Sequence, residues 1–170
     1  MSSFARFLIL ASFLAGTNLS AQDPPEGNGE TETVRDTTTG EDFENLIKSR
    51  LEHQGFQMAE QIRVGTRPNG GKHKIDLVAT KDDKSYLISL KWQQSSGTAE
   101  QKVPYEIICL SEALKQSRGK HTAAYLVLGG DGWTLKKFYL SGGLDRHLNL
   151  DQPVRLMSAK AFLRRASKGL

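Results

Sequence analysis

The chain has 170 residues, 38% hydrophobic and 25% charged, the composition of a globular protein with room for one domain and its core. Its single cysteine, Cys109, excludes an internal disulfide framework and any multi-cysteine zinc site. The net charge of +4 is unevenly placed, because residues 41–170 hold 21 Lys and Arg against 14 Asp and Glu, or +7. A basic domain suits a polyanionic partner, nucleic acid before an acidic membrane surface; a basic protein- or membrane-docking domain is the alternative reading of the same charge.

Residues 1–21 contain one Arg, no acid, the apolar run "FLILASFLAG" and a polar exit. That pattern predicts a secretory signal, too short to span a membrane, so that the exported protein begins near Gln22, is secreted or periplasmic, and keeps no stable membrane anchor. Without a true signal the same domain is cytoplasmic. Residues 22–40 are rich in Pro, Gly, Thr and acid, have no apolar periodicity, and read as a disordered acidic linker.

The domain at 41–170 alternates helix and strand signals. "EDFENLIKSRLEHQG" has apolar residues at 43, 46, 47 and 51, the helical period, with Gly55 as its stop. Strands are predicted at "FQMAEQIRVG", "HKIDLVAT" and "SYLISLKW", the first two separated by the glycine-rich turn "TRPNGGK". Thr98 can cap a helix running to about Ser117, with Val103, Ile107, Leu110 and Leu114 on one stripe. A fourth strand, "TAAYLVLGG", has the unbroken apolar run of a central position; a short helix in "DGWTLKKFYLSG", a fifth strand "PVRLMS" and a last helix "AKAFLRRAS" complete the order αβββαβαβα. This predicts an α/β domain, a central mixed sheet with helices on both faces.

Between the second and third strands, a turn centred on Asp83 and Lys84 places Asp76 opposite Lys91 and Val78 opposite Ser89. The period of two then sends Ile75, Leu77, Ala79, Ile88, Leu90 and Trp92 to one face and Asp76, Val78, Ser89 and Lys91 to the other. A cross-strand ion pair is the plain account of Asp76 and Lys91. Three neighbours argue for chemistry instead: Gln93 extends the polar face, the loop supplies Gly97 and Thr98, and Glu106 lies on the flank of the following helix's buried stripe. Two carboxylates and a main-chain carbonyl are the oxygen ligands that Mg²⁺ or Mn²⁺ takes, and an ammonium can position or deprotonate a water.

These residues resemble the PD-(D/E)XK nuclease superfamily, whose fold is restriction-endonuclease-like. The resemblance spans about residues 41–165: "FE" at Phe43 and Glu44 in the opening helix, the motif aspartate Asp76 in "KID", Ser89 to Lys91 as "SLK", and a helix returning to the sheet. Ile75 replaces the family's frequent proline, and Ser89 stands where an acid is expected. Some relatives with Ser-x-Lys take the acid from the next helix, and Glu106, fifteen residues after Lys91, fits that arrangement; Glu100 is the other candidate. The resemblance implies that Asp76 is the principal metal ligand, Glu106 the displaced second acid, Lys91 the residue that orients or activates the attacking water, and Glu44 an accessory acid reaching the metal through water. Gln93 could hold the water or a phosphate.

The basic turn offers Arg67, Lys72 and Lys74 to phosphate. The four histidines are too scattered for a zinc site, and none is assigned as a ligand. "GGDGW" lacks the lysine and hydroxyl of a phosphate-binding loop, and Trp133 reads as a packing aromatic, with stacking on an unpaired base as its alternative. The function expected is hydrolysis of phosphodiester bonds, in DNA first, with Mg²⁺ or Mn²⁺, by a monomer or a homodimer. An inactive nucleic-acid-binding module of the same fold is the alternative that Ser89 keeps open.

Overall fold

The structure, a computed structural model, describes residues 39–170. The expected signal at 1–21 and the linker up to residue 38 lie outside the described residues. Helix α1 (Gly40–His53) opens on a capping box, in which Thr39 Oγ1 accepts the Asp42 N–H at 3.2 Å and Asp42 Oδ2 accepts the Thr39 N–H at 2.9 Å. Gly55, at φ 85°, turns the chain out of the helix. Strands β1 (Gln57–Thr66), β2 (Lys72–Lys81) and β3 (Lys84–Trp92) follow, then α2 (Ala99–Gln116), β4 (Ala123–Gly129), α3 (Lys136–Leu140), a 3-10 turn (Gly143–Arg146), β5 (Val154–Ser158) and α4 (Ala159–Ala166).

The five strands lie in sequence order. β1, β2 and β3 are antiparallel neighbours, whereas β3–β4 and β4–β5 are parallel, with α2 as the first crossover. One face of the sheet is covered by α1 and α4, whose Phe43, Ile47, Leu51 and Phe162 pack on Leu77, Ile88, Leu90 and Tyr125. The other is covered by α2, whose Val103, Ile107 and Leu110 pack on Leu87, Leu126 and Leu128. The result is the three-layer α/β architecture expected from the sequence.

Three local expectations are corrected. The hairpin turns on Asp82 and Asp83, at φ 50° and 59°, between the closing pair Lys81 and Lys84. A two-residue turn of this handedness matches the twist of the strands, and Asp tolerates the left-handed region. The register therefore moves by two, and Asp76 aligns with Ser89 instead of Lys91. Ile75 packs under α2, not with Leu77, because regular pairing stops just short of Asp76: the β2–β3 ladder ends at Leu77–Ile88, and the β1–β2 ladder passes from Glu60–Leu77 to Ile62–Ile75 around Gln61, at φ 54°. Thr98 does precede α2, but its side chain makes no capping hydrogen bond.

Candidate active site

Asp76 sits where β2 and β3 separate, and its carboxylate replaces the missing ladder bond. Oδ2 accepts the Leu90 N–H at 2.7 Å and lies 3.2 Å from Ser89 Oγ. Ser89, 1% exposed, points under α2, where Glu106 Oε1 approaches its hydroxyl to 3.0 Å. Lys91, two residues along the same face of β3, folds back so that Nζ donates to Ser89 Oγ at 3.0 Å and to the Leu90 carbonyl at 3.2 Å, 4.0 Å from Asp76 Oδ2. One hydroxyl thus accepts from the ammonium and presents its single proton to either of two carboxylates. The residue that departs from the expected acid is the hub of the cluster.

Glu106 is nearly enclosed, between the His73 imidazole, whose Nε2 is 3.6 Å from Oε1, and the Arg67 guanidinium, whose Nη2 is 3.7 Å from Oε2. Burial pushes its carboxyl up, but the His73 ring, the Lys91 ammonium and the Ser89 hydroxyl outweigh that cost and set it at about 2. Its folded value lies below its ordinary 4.5, so the stability it contributes is complete above pH 4.5 and is lost as pH falls toward 2. Chemical denaturation across that window is expected to show a weaker pH dependence for Glu106→Gln than for the wild type; identical slopes would mean that Glu106 is not held ionised by its neighbours.

His73 was not assigned from the sequence. It is fully buried and neither ring nitrogen has a hydrogen-bond partner, so the imidazole faces Glu106 just beyond bonding distance. Its only signal in the sequence was its parity with Ile75, which places it on a buried face.

Glu44 lies half-buried on α1, within electrostatic range of the pair; burial, then the Asp76 carboxylate, raise its pKa, and Lys91 opposes them. Lys72 and Lys74 are exposed on β2 and do not line the cleft beside Lys91, whereas Arg67 does.

Gln93 and Glu100 have a different task. Gln93 Nε2 donates to Glu100 Oε1 at 3.2 Å and to the Gly132 carbonyl at 2.7 Å. Glu100 also accepts from the Thr134 and Leu135 N–H groups and from Thr134 Oγ1, and these bonds lower its pKa, the Thr134 hydroxyl most, against burial. Pro104 leaves the Glu100 carbonyl without its helical donor, and Tyr139 Oη donates to it at 2.8 Å. "GGDGW" is the other half of this clasp, since a Cβ on Gly130 or Gly132 would collide with the backbone of Gln93–Ser95. Trp133 is buried with Nε1 on the Gly129 carbonyl at 2.7 Å, which leaves it no face for a base. Glu100→Ala is therefore expected to lower the thermal midpoint by freeing the loop while costing far less turnover than changes at Glu106; equal losses of turnover would make Glu100 the second acid.

Among the described residues no group of three or more His, Cys, Asp and Glu side chains converges as a metal cage. Two carboxylates on one hydroxyl beside the Leu90 carbonyl nevertheless fit Mg²⁺, which keeps several waters and is held through one or two carboxylates together with substrate phosphate.

A family profile described as a PD-(D/E)XK nuclease superfamily domain matches residues 35–170. A solved protein of unknown function, AF1548, is similar at 16% identity and a TM-score of 0.43 over 75% of this chain, which spans 66% of that protein, just under two thirds of it. No curated protein matches the chain.

Proposed function

We propose that this chain, which belongs to the PD-(D/E)XK nuclease superfamily, hydrolyses phosphodiester bonds in DNA and does so with a divalent cation, Mg²⁺ or Mn²⁺. The observation that carries the reading is the convergence of Asp76, Glu106 and Lys91 on the Ser89 hydroxyl. Ser89, which stands where an acid is expected, keeps a lost active site in view; the Glu106 carboxylate 3.0 Å from its hydroxyl supports a migrated acid instead.

Asp76 and Glu106 would hold the cation, with the Leu90 carbonyl as a third oxygen. When bound, it supplies positive charge to the phosphate and the leaving oxygen. Water attacks phosphorus in line, gives up a proton to solvent as the bond to the leaving oxygen breaks and that oxygen is protonated, and Ser89, buried and bonded to three partners, does not serve as a covalent nucleophile. Lys91 keeps one N–H beyond those given to Ser89 and Leu90, and that donor orients the water or a non-bridging phosphate oxygen. Leu90 N–H fixes Asp76 in place, so the acid needs no reorganisation when substrate arrives.

The test is cleavage of plasmid, linear duplex and single strands by the purified chain in Mg²⁺, in Mn²⁺ and in EDTA. Cleavage that EDTA removes is the expected result. Nucleic-acid binding without cleavage in either metal would favour an inactive binding module. Export remains a separate proposal on residues 1–21, checked by sequencing the mature N-terminus, where Gln22 is the residue expected.

A further inference from the structure

Beside the cluster lies an open cleft of about 540 Å³, lined by Arg67, Lys91, Gln101, Lys102, Tyr105 and Glu106. It lies within the size range of small-ligand sites. Tyr105 is 40% exposed and is the one aromatic among the large apolar side chains that stand exposed in the described residues. It immediately precedes Glu106 on α2, and the Arg67 guanidinium sits 6.0 Å from its ring centroid while also approaching Glu106. A ring next to the acid, among three cations and an amide, combines what an unpaired nucleotide needs: a face for the base, positive charge for its phosphate and hydrogen-bonding capacity for a base edge.

Resting on the nuclease reading, the geometry points to a base-stacking subsite at Tyr105, which takes an unstacked nucleobase next to the bond being cut and so favours single strands, flaps or frayed ends over continuous duplex. Within a duplex each base is stacked on both faces and offers only its edges to a groove, so a tyrosine ring finds no surface to cover. In a single strand the neighbouring base can turn onto the ring while its phosphate stays with Arg67 and Lys102. Gln101 lines the same cleft one helical turn from Tyr105 and can bond to the base edge without selecting strongly among bases.

Fluorescence anisotropy of the full chain with a short labelled single strand and with its duplex, in Ca²⁺ and in EDTA, measures binding separately from cleavage. Tyr105→Ala is expected to lower the ratio of single-strand to duplex affinity about tenfold, the scale of one base–aromatic stack. Tyr105→Trp should restore the ratio, and Tyr105→Leu, which keeps apolar bulk without a ring, should not. With the wild type, walking one abasic position along the single strand should find one place where affinity falls as it does in Tyr105→Ala. Unchanged ratios in both Ala and Leu variants, or indifference to every abasic position, overturns the subsite and leaves a metal-dependent nuclease standing. Ring-dependent binding by a wild type that cuts nothing in Mg²⁺ or Mn²⁺ supports the subsite and overturns the nuclease reading.

Discussion

Lys91→Ala is expected to lower turnover by about 10²- to 10⁴-fold, the range associated with a positioned acid or base, while the protein stays folded. The Lys91 side chain is 23% exposed and lines the cleft, where it bonds to Ser89 Oγ and the Leu90 carbonyl. Its removal does not strand Asp76, which keeps the Leu90 N–H at 2.7 Å and the Ser89 hydroxyl. On the proposed mechanism, what disappears is the donor that meets the charge developing during attack on phosphorus. Asp76→Asn should cost as much, and it is the better variant than Asp76→Ala because the amide oxygen can still accept the Leu90 N–H. Loss of that acceptor would leave a buried donor unpaired, at about 1–3 kcal/mol. Circular dichroism and thermal melts accompany the rate measurements. A folded Lys91→Ala protein that cuts at the wild-type rate would reduce the Asp76–Lys91 contact to a structural ion pair.

Glu106→Ala is expected to remove metal-dependent cleavage as completely as Asp76→Asn does, because a cation held by one charged protein ligand is held weakly. The informative variant is the double substitution Ser89→Glu with Glu106→Ala. Ser89 Oγ lies within 3.2 Å of Asp76 and 3.0 Å of Glu106, so truncating Glu106 opens the space that a glutamate on β3 would enter, and the new carboxylate arrives beside the same aspartate. Partial recovery of cleavage over Glu106→Ala alone is the expected outcome, with isothermal titration of Mn²⁺ as a readout independent of turnover. Ser89→Glu on its own should be poorly tolerated, since it drives a third carboxylate into a site built for two carboxylates and a hydroxyl. If Glu106→Ala binds Mn²⁺ and cuts as the wild type does, the second acid is not Glu106, and Glu44, which feels both Asp76 and Lys91, becomes the candidate.

Element order and the polar face of the hairpin were legible in the chain because both depend on local repeats. Helical spacing in α1 and α2 reported which side is apolar, and the period of two in β3 placed Ser89 with Lys91. That sorting survived a register error on β2 and β3, because moving the pairing by two residues preserves which face each side chain takes. The error itself came from the turn: nothing in "KDDK" favours Asp82–Asp83 over Asp83–Lys84 until strand twist selects a two-residue loop with both central residues left-handed. Ile75 escaped the rule for a related reason, since alternation holds only while strands are paired, and pairing lapses at Asp76.

Tertiary structure alone decided which acid lies beside Ser89. Glu100 and Glu106 flank the same apolar stripe of α2, and a helical repeat assigns them no difference. The rotation at which α2 settles on the sheet turns Glu106 toward Ser89, while the glycine-rich loop after β4 brings the Thr134 and Leu135 donors onto Glu100 and uses it as an anchor. Gln93, which follows β3, has partners at Glu100 and Gly132 that no local period reports, because they come from segments 7 and 39 residues away. His73 and Tyr105 complete the contrast. A period of two can mark His73 as buried and a helical wheel can mark Tyr105 as exposed, but neither period indicates that the first faces Glu106 and the second borders the cleft. Local periodicity determines the face a side chain takes on its own element, whereas what that face meets is set by packing between elements distant in sequence.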